Sequence, residues 1–78
     1  MEWVIVTFPR TRDVFVEGER AGRTDRPLTV PTGRQRFDLG TPVDYQPDHQ
    51  DVDVTGTTEN RPMTIAFKAG PLATTPTA

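Results

Sequence analysis

The sequence predicts an all-β protein, a small antiparallel β-sandwich of six or seven short strands with no helix. Three observations lead to this fold class. Apolar and polar residues alternate with period two in several short runs, turn signals separate these runs, and eight prolines leave no stretch with helical periodicity. Since a single sheet would leave one face of its aromatic residues in water, we expect two packed layers.

Four strands are predicted in the first half of the chain. The first is rich in β-branched and aromatic residues and ends at Pro9, which has no N–H to donate. A hairpin turn is expected over residues 17 to 20, because Gly18 tolerates a positive φ without steric cost. The four strands are Trp3 to Phe8, Val14 to Val16, Ala21 to Thr24 and Leu28 to Val30.

Three more strands are predicted in the second half, after a reversal at Pro31-Thr32-Gly33. They are Gln35 to Leu39, Asp51 to Val54 and Met63 to Phe67. Residues 40 to 49, around Tyr45, are interpreted as a loop. The expected organisation is one domain over residues 1 to 69 and a disordered tail over residues 70 to 78. At least four of the six aromatic residues should be buried.

The composition of the chain excludes some kinds of site and disfavours some kinds of partner. The chain of 78 residues has no cysteine, which excludes disulfides and thiolate metal sites. Residues 1 to 36 carry seven Arg and five acids (+2), and residues 37 to 78 carry two basic and six acidic residues (−4), giving the net charge of −2. This split favours an electrical dipole over a basic nucleic-acid binder. The longest apolar run, residues 3 to 6, is too short for a membrane span.

The order of turn signals resembles that of the PEGA domain family. Glu17-Gly18, Gly22-Arg23-Thr24, Leu28-Thr29-Val30, Pro31-Thr32-Gly33 and Phe37-Asp38-Leu39 fill the places of the family pattern in order. The sequence departs from that pattern where Asp25-Arg26 lengthens the segment before Pro27, and where Asp44 replaces a glycine before Tyr45. The resemblance spans residues 3 to 67. It implies a compact all-β sandwich of the kind attached to other domains of bacterial and archaeal surface proteins, lipoproteins and kinases, with no catalytic residues.

Arginines and one tryptophan are the candidate partner-binding residues. Arg34 and Arg36 project from the same face of a predicted strand, and the planar guanidinium suits carboxylates and phosphates. Arg23 belongs to the same arginine-rich half of the chain. Trp3, if exposed, would be an anchor for a protein partner. The alternative for the arginines is a charged outer sheet face that protects edges from aggregation.

Catalytic and metal roles are weighed for a few acidic residues and the single histidine. His49 lies between Asp48 and Asp51, a composition found in metal sites and general bases, but no nucleophile is placed beside it. Asp44, Asp48, Asp51 and Asp53 could hold a hard cation, yet the spacing is not that of a calcium loop. We therefore predict no catalytic residue, no metal site, no cofactor and no small-molecule substrate.

The sequence thus predicts a non-enzymatic binding or scaffolding module that uses sheet edges or hairpin tips. Its partner would be another protein or a second copy of the chain. The alternative is an anion-binding module that contacts nucleic acid or acidic polysaccharide through the arginine-rich half. A cytoplasmic location is expected if Met1 is the native start, and an extracytoplasmic one if the chain is part of a larger protein.

Overall fold

The computed structural model describes residues 1 to 70, which form nine β-strands and no helix. The strands are β1 (Glu2–Thr7), β2 (Asp13–Val16), β3 (Glu19–Arg23), β4 (Pro27–Val30), β5 (Gly33–Asp38), β6 (Tyr45–Gln46), β7 (Gln50–Val54), β8 (Met63–Ala66) and β9 (Lys68–Ala69). The all-β fold is confirmed. Within these residues there is therefore no helix to span a membrane. All but the first residue of the predicted tail lie outside the described part of the chain.

The strands form two main sheets and one short pair. The three-stranded sheet has the order β4-β1-β8, the four-stranded sheet has the order β3-β2-β5-β7, and β6 pairs with β9. Every pair is antiparallel except β1 with β8, which is parallel. The sequence pattern predicted antiparallel pairing throughout. Period-two alternation buries the same side chains in either direction, so it does not distinguish the two arrangements.

The core lies between the two main sheets and is built by the alternation that predicted the strands. On β1, Val4 and Val6 are fully buried while Trp3 and Ile5 face outward. The core consists of Val4, Val6, Phe8, Val14, Val16, Leu28, Val30, Phe37, Leu39, Tyr45, Val54, Ile65 and Phe67. Four aromatic residues are thus buried, as predicted, and the remaining two, Trp3 and Phe15, are half-buried on outer faces.

Two strands lie where the sequence did not predict them. The segment over residues 40 to 49 contains β6, because Tyr45 is buried and packs edge-on against Phe8 and Phe67, with ring centroids 6.2 and 5.5 Å away. Its hydroxyl donates a hydrogen bond of 2.7 Å to the carbonyl of Gly40. The partner strand β9 follows Phe67 directly. Both additional strands have only two residues, too few for an alternating pattern.

The predicted hairpin turn is a two-residue connection. Glu17 and Gly18 have φ values of 52° and 83°, and Val16 pairs with Glu19 on either side. Positive φ at both central residues is the geometry that matches the twist of an antiparallel hairpin. Further along this pair, the register shifts between Val14 and Phe15 of β2, which lie opposite Gly22 and Arg20 of β3. This bulge adds an irregularity to the outer strand of the sheet.

Candidate interaction surface

Charged side chains cover the outer face of the four-stranded sheet, and their sign changes from strand to strand. The basic members are Arg20 and Arg23 on β3 and Arg34 and Arg36 on β5, and the acidic members are Asp13 on β2 and Asp51 and Asp53 on β7. Asp38, which pairs with Phe15, departs from this order at the end of β5. We call this surface the charged face.

Contacts across the strands match most of these charges. The guanidinium Nε of Arg36 lies 3.0 Å from Oδ1 of Asp51, and the Nε atoms of Arg20 and Arg23 lie 3.2 and 3.6 Å from Oδ1 of Asp13. The hydrogen bond from Arg36 lowers the pKa of Asp51, and the same bond raises the pKa of Arg36 above its usual value. The arginines therefore alternate with acids and do not form a continuous positive surface.

A shallow depression of about 620 Å³ lies on the charged face beside the hairpin turn. Its lining residues are Glu17, Gly18, Arg34, Arg36, Asp38 and Asp51. At this point the turn is joined to β5 by two bonds. The Glu17 N–H donates to the Arg36 carbonyl at 2.9 Å, and the Arg36 N–H donates to the Glu17 carboxylate at 2.7 Å. The turn at Gly18 thus closes the hairpin, and its first residue, Glu17, also continues the hydrogen bonds between β2 and β5.

Strand β7 forms one edge of the charged face. Within residues 1 to 70 it pairs only with β5, in a register that places Arg34 opposite Asp53 and Arg36 opposite Asp51. Asp51 and Asp53 point outward, while Val54 is buried and Val52 is half-buried against the core. At one end, the Gln50 side chain donates a 2.8 Å hydrogen bond to the Ala66 carbonyl of β8. The edge strands β7 and β8 of the two main sheets thus lie on the same side of the sandwich, and β3 and β4 are the other edge strands of these sheets.

Trp3 lies apart from the three candidate arginines. It belongs to the outer face of the three-stranded sheet, where its strand neighbour is Thr29 and its backbone N–H donates to Thr57 Oγ1 at 2.7 Å. This face is uncharged; its residues are Trp3, Ile5, Thr7, Pro27, Thr29, Thr64 and Ala66. The structure therefore brings Arg34 and Arg36 together, places Arg23 two strands away on the same face, and puts Trp3 on the opposite layer.

Arg12 has a different environment from the other arginines, one that the sequence did not reveal. Its side chain is only 14% exposed and forms an ion pair with Asp44. Its Nη2 donates to the carbonyls of Leu39 and Pro42 at 3.1 and 2.9 Å, and its guanidinium lies 5.5 Å from the Tyr45 ring centroid. The residue fixes the segment after β5 against the body of the domain. No spacing rule marks such a contact, because the partners are 27 or more residues away.

Asp44 is the acidic partner in this cluster. Burial by itself would raise its pKa, but the hydrogen bond and charge of Arg12, with a smaller effect from Arg10, lower the pKa overall. Arg10 reaches the other carboxylate oxygen at 3.1 Å from an exposed position. A buried threonine completes the cluster, since Thr24 Oγ1 donates to the Arg10 carbonyl and accepts the Arg12 N–H. The cluster joins the turn before β2 to the turn after β3.

The histidine lies beside two of the four candidate aspartates, Asp48 and Asp51. His49 Nδ1 lies 2.8 Å from Asp48, and Nε2 lies 3.8 Å from Asp51. Asp44 contacts Arg12, Asp51 contacts Arg36, and Asp53 lies across from Arg34. Among residues 1 to 70, no three His, Asp or Glu side chains are arranged to hold a metal ion.

No protein-family model, curated protein or solved structure matches the chain. The resemblance to the PEGA domain thus remains a prediction from the order of the turns.

Proposed function

We propose that the protein is a non-catalytic interaction module that binds a protein partner through the charged face and its edge strand β7. The supporting observation is the position of β7, which pairs with β5 on one side and with no other strand among the described residues. An edge strand presents N–H and C=O groups that an extended segment of another protein can pair with. Asp51 and Asp53 add charge specificity to these backbone groups.

The alternative, binding of nucleic acid or acidic polysaccharide, has less support. Such a ligand needs several basic side chains that neutralise adjacent phosphates or carboxylates. On the charged face, Asp13 lies within 3.6 Å of Arg20 and Arg23, and Asp51 contacts Arg36. An anionic polymer along this face would meet the acidic strands β2 and β7 as well as the basic ones.

Self-association through the same edge is also disfavoured by charge. If β7 paired with β7 of a second copy, Asp51 and Asp53 would lie among the aspartates of the partner strand. Like charges directly opposite each other destabilise a strand pair. A partner of different sequence is therefore favoured over a second copy at this edge.

The test is a titration of the ¹⁵N-labelled protein with three extended peptides, one basic, one acidic and one uncharged, observed by amide chemical shifts. Shift changes concentrated on β7 and β5 with at least one peptide would support the proposed function. Changes confined to the uncharged face around Trp3, or none with any peptide, would overturn it. Sedimentation of the protein alone across a range of concentrations would show whether copies associate instead.

A further inference from the structure

We propose that the partner of β7 is an extended segment with alternating basic and apolar residues, which adds to the sheet as its next strand. This inference rests on the proposed function and specifies the chemistry of the partner. It follows from the charge order across the sheet, the position of Asp53 and the apolar residue between the two aspartates.

The order of charges across the sheet indicates which charge a strand added beside β7 should carry. Crossing the sheet from β3 to β7, the main charges are basic, acidic, basic and acidic. The last strand has a neighbour on one side only. Since opposite charges on neighbouring strands stabilise a pair and like charges destabilise it, a basic strand is the complement of β7.

The Asp53 carboxylate can form an ion pair with a basic side chain of an added strand. Arg36 occupies Oδ1 of Asp51, at 3.0 Å from its Nε. Asp53 lies opposite Arg34 in the register, but within residues 1 to 70 no basic nitrogen is within 4 Å of its carboxylate. Both aspartates project from the same side of β7, two residues apart. Basic residues at alternate positions of an added strand would match this spacing.

Val52, the residue between the two aspartates, is the reason for proposing apolar residues in the partner segment. Val52 lies between the two aspartates on the core side of β7 and is only half-buried. Met63, on the free edge strand β8 of the other sheet, is likewise half-buried against the core. Gln50 connects the two edges at one end, through its bond to Ala66. An apolar side chain of an added strand would cover Val52 and remove its exposed area from water.

The experiment uses the peptide acetyl-Lys-Val-Lys-Val-Lys-amide with the full chain at low ionic strength. We expect amide shift changes centred on β7, an affinity that falls as salt is added, and weaker binding of acetyl-Glu-Val-Glu-Val-Glu-amide. A basic peptide N-methylated at all five residues keeps its charge but loses the backbone donors that an added strand would use in either direction, so it should also bind more weakly. Equal binding of the methylated and unmethylated peptides would overturn the addition of a strand.

Substitutions of the two aspartates of β7 test whether their side chains contact the peptide. Asp53→Asn should weaken binding of the basic peptide by about threefold, and Asp51→Asn/Asp53→Asn by about fivefold or more, as expected for exposed ion pairs. The matched control, Asp25→Asn/Glu59→Gln, has the same net charge change at two exposed acids outside β7, and should leave the affinity unchanged. Because Asp53→Asn leaves the Arg36–Asp51 pair in place, it tests the contact without disturbing the sheet.

The outcomes separate the two proposals. If the acidic or uncharged peptide binds β7 as well as the basic one, the partner chemistry is wrong and the proposed function stands. An equal loss of affinity in the control variant would show that net charge alone attracts the peptide, which would also overturn the inference. If none of the peptides shifts β7, both proposals fail.

Discussion

The carboxylate of Glu17 accepts a hydrogen bond of 2.7 Å from the backbone N–H of Arg36. Glu17 has a φ of 52°, so the chain turns away from β5 at this residue. Its N–H still donates to the Arg36 carbonyl, and its side chain supplies the acceptor for the Arg36 N–H. One side chain thus extends the β2–β5 ladder past the start of the hairpin turn, beside the depression on the charged face.

Removing this acceptor should destabilise the protein modestly. Glu17→Ala is expected to lower the free energy of unfolding by about 1 kcal/mol, the net value of one hydrogen bond to a partly solvated group. Glu17→Gln, which keeps an acceptor oxygen, should lose less. Urea unfolding measures both, with Glu59→Ala at an exposed connector position as the control. An equal effect of Glu17→Ala and Glu59→Ala would mean that the bond does not contribute.

Gly40 should not tolerate a side chain. Its φ is 72°, and a Cβ atom there would lie 2.6 Å from Cε1 of Phe15. Gly56 has a φ of 70° with open space around it, so Gly56→Ala incurs the backbone strain alone, about 1 to 2 kcal/mol. Gly40→Ala should lose at least about 1 kcal/mol more, because the Phe15 ring must move. Thermal unfolding of the two variants compares these losses, and equal values would contradict the close contact with Phe15.

Arg12 and Arg10 share Asp44 but differ in exposure, with side chains 14% and 62% exposed. Arg12→Met should lower the free energy of unfolding by about 3 kcal/mol, since it leaves Asp44 and two carbonyls without their main donor. Arg10→Met should cost less than about 1 kcal/mol, as expected for an exposed pair. Denaturant unfolding distinguishes them. A loss for Arg10→Met as large as that for Arg12→Met would contradict the assignment of Arg12 as the main donor.

Glu2 should make the free energy of unfolding depend on pH in the acidic range. Its hydrogen bonds from Thr32 and Thr57 lower its pKa from 4.5 to about 2. A depressed pKa in the folded state stabilises the protein above pH 4.5, and this contribution is lost as the pH falls to about 2. Asp44 and Asp51 act in the same direction. The measurement is therefore the difference in free energy of unfolding between the wild type and Glu2→Gln. This difference should shrink as the pH falls from 4.5 to about 2. It would stay constant with pH if the hydrogen bonds to Glu2 were absent.

Much of the fold follows from local patterns, and most of the surface contacts do not. Alternation at Asp51-Val52-Asp53-Val54 predicted which side chains face outward, and Gly18 predicted the hairpin. The contact of Arg12 with Asp44 depends on how distant turns meet after folding, so its near-burial had no sequence signal.

The same limit applies to the candidate site. The alternation predicted that Arg34 and Arg36 share a face, and the structure agrees. It could not predict that Asp51 is the partner of Arg36, or that β7 is an edge strand, because strand order depends on contacts between distant segments. The parallel direction of the β1–β8 pair was missed because alternation buries the same side chains in parallel and antiparallel pairs.

Amide hydrogen exchange along β7, with and without the basic peptide, tests the central claim most directly. For the free protein we predict alternating protection in β7, with slow exchange where an N–H bonds to β5 and fast exchange where it points away. Adding the peptide should slow the fast amides of β7 and leave those of β3 unchanged. Uniform protection of β7 in the free protein, or fast amides that the peptide does not slow, would contradict an open edge that accepts a strand.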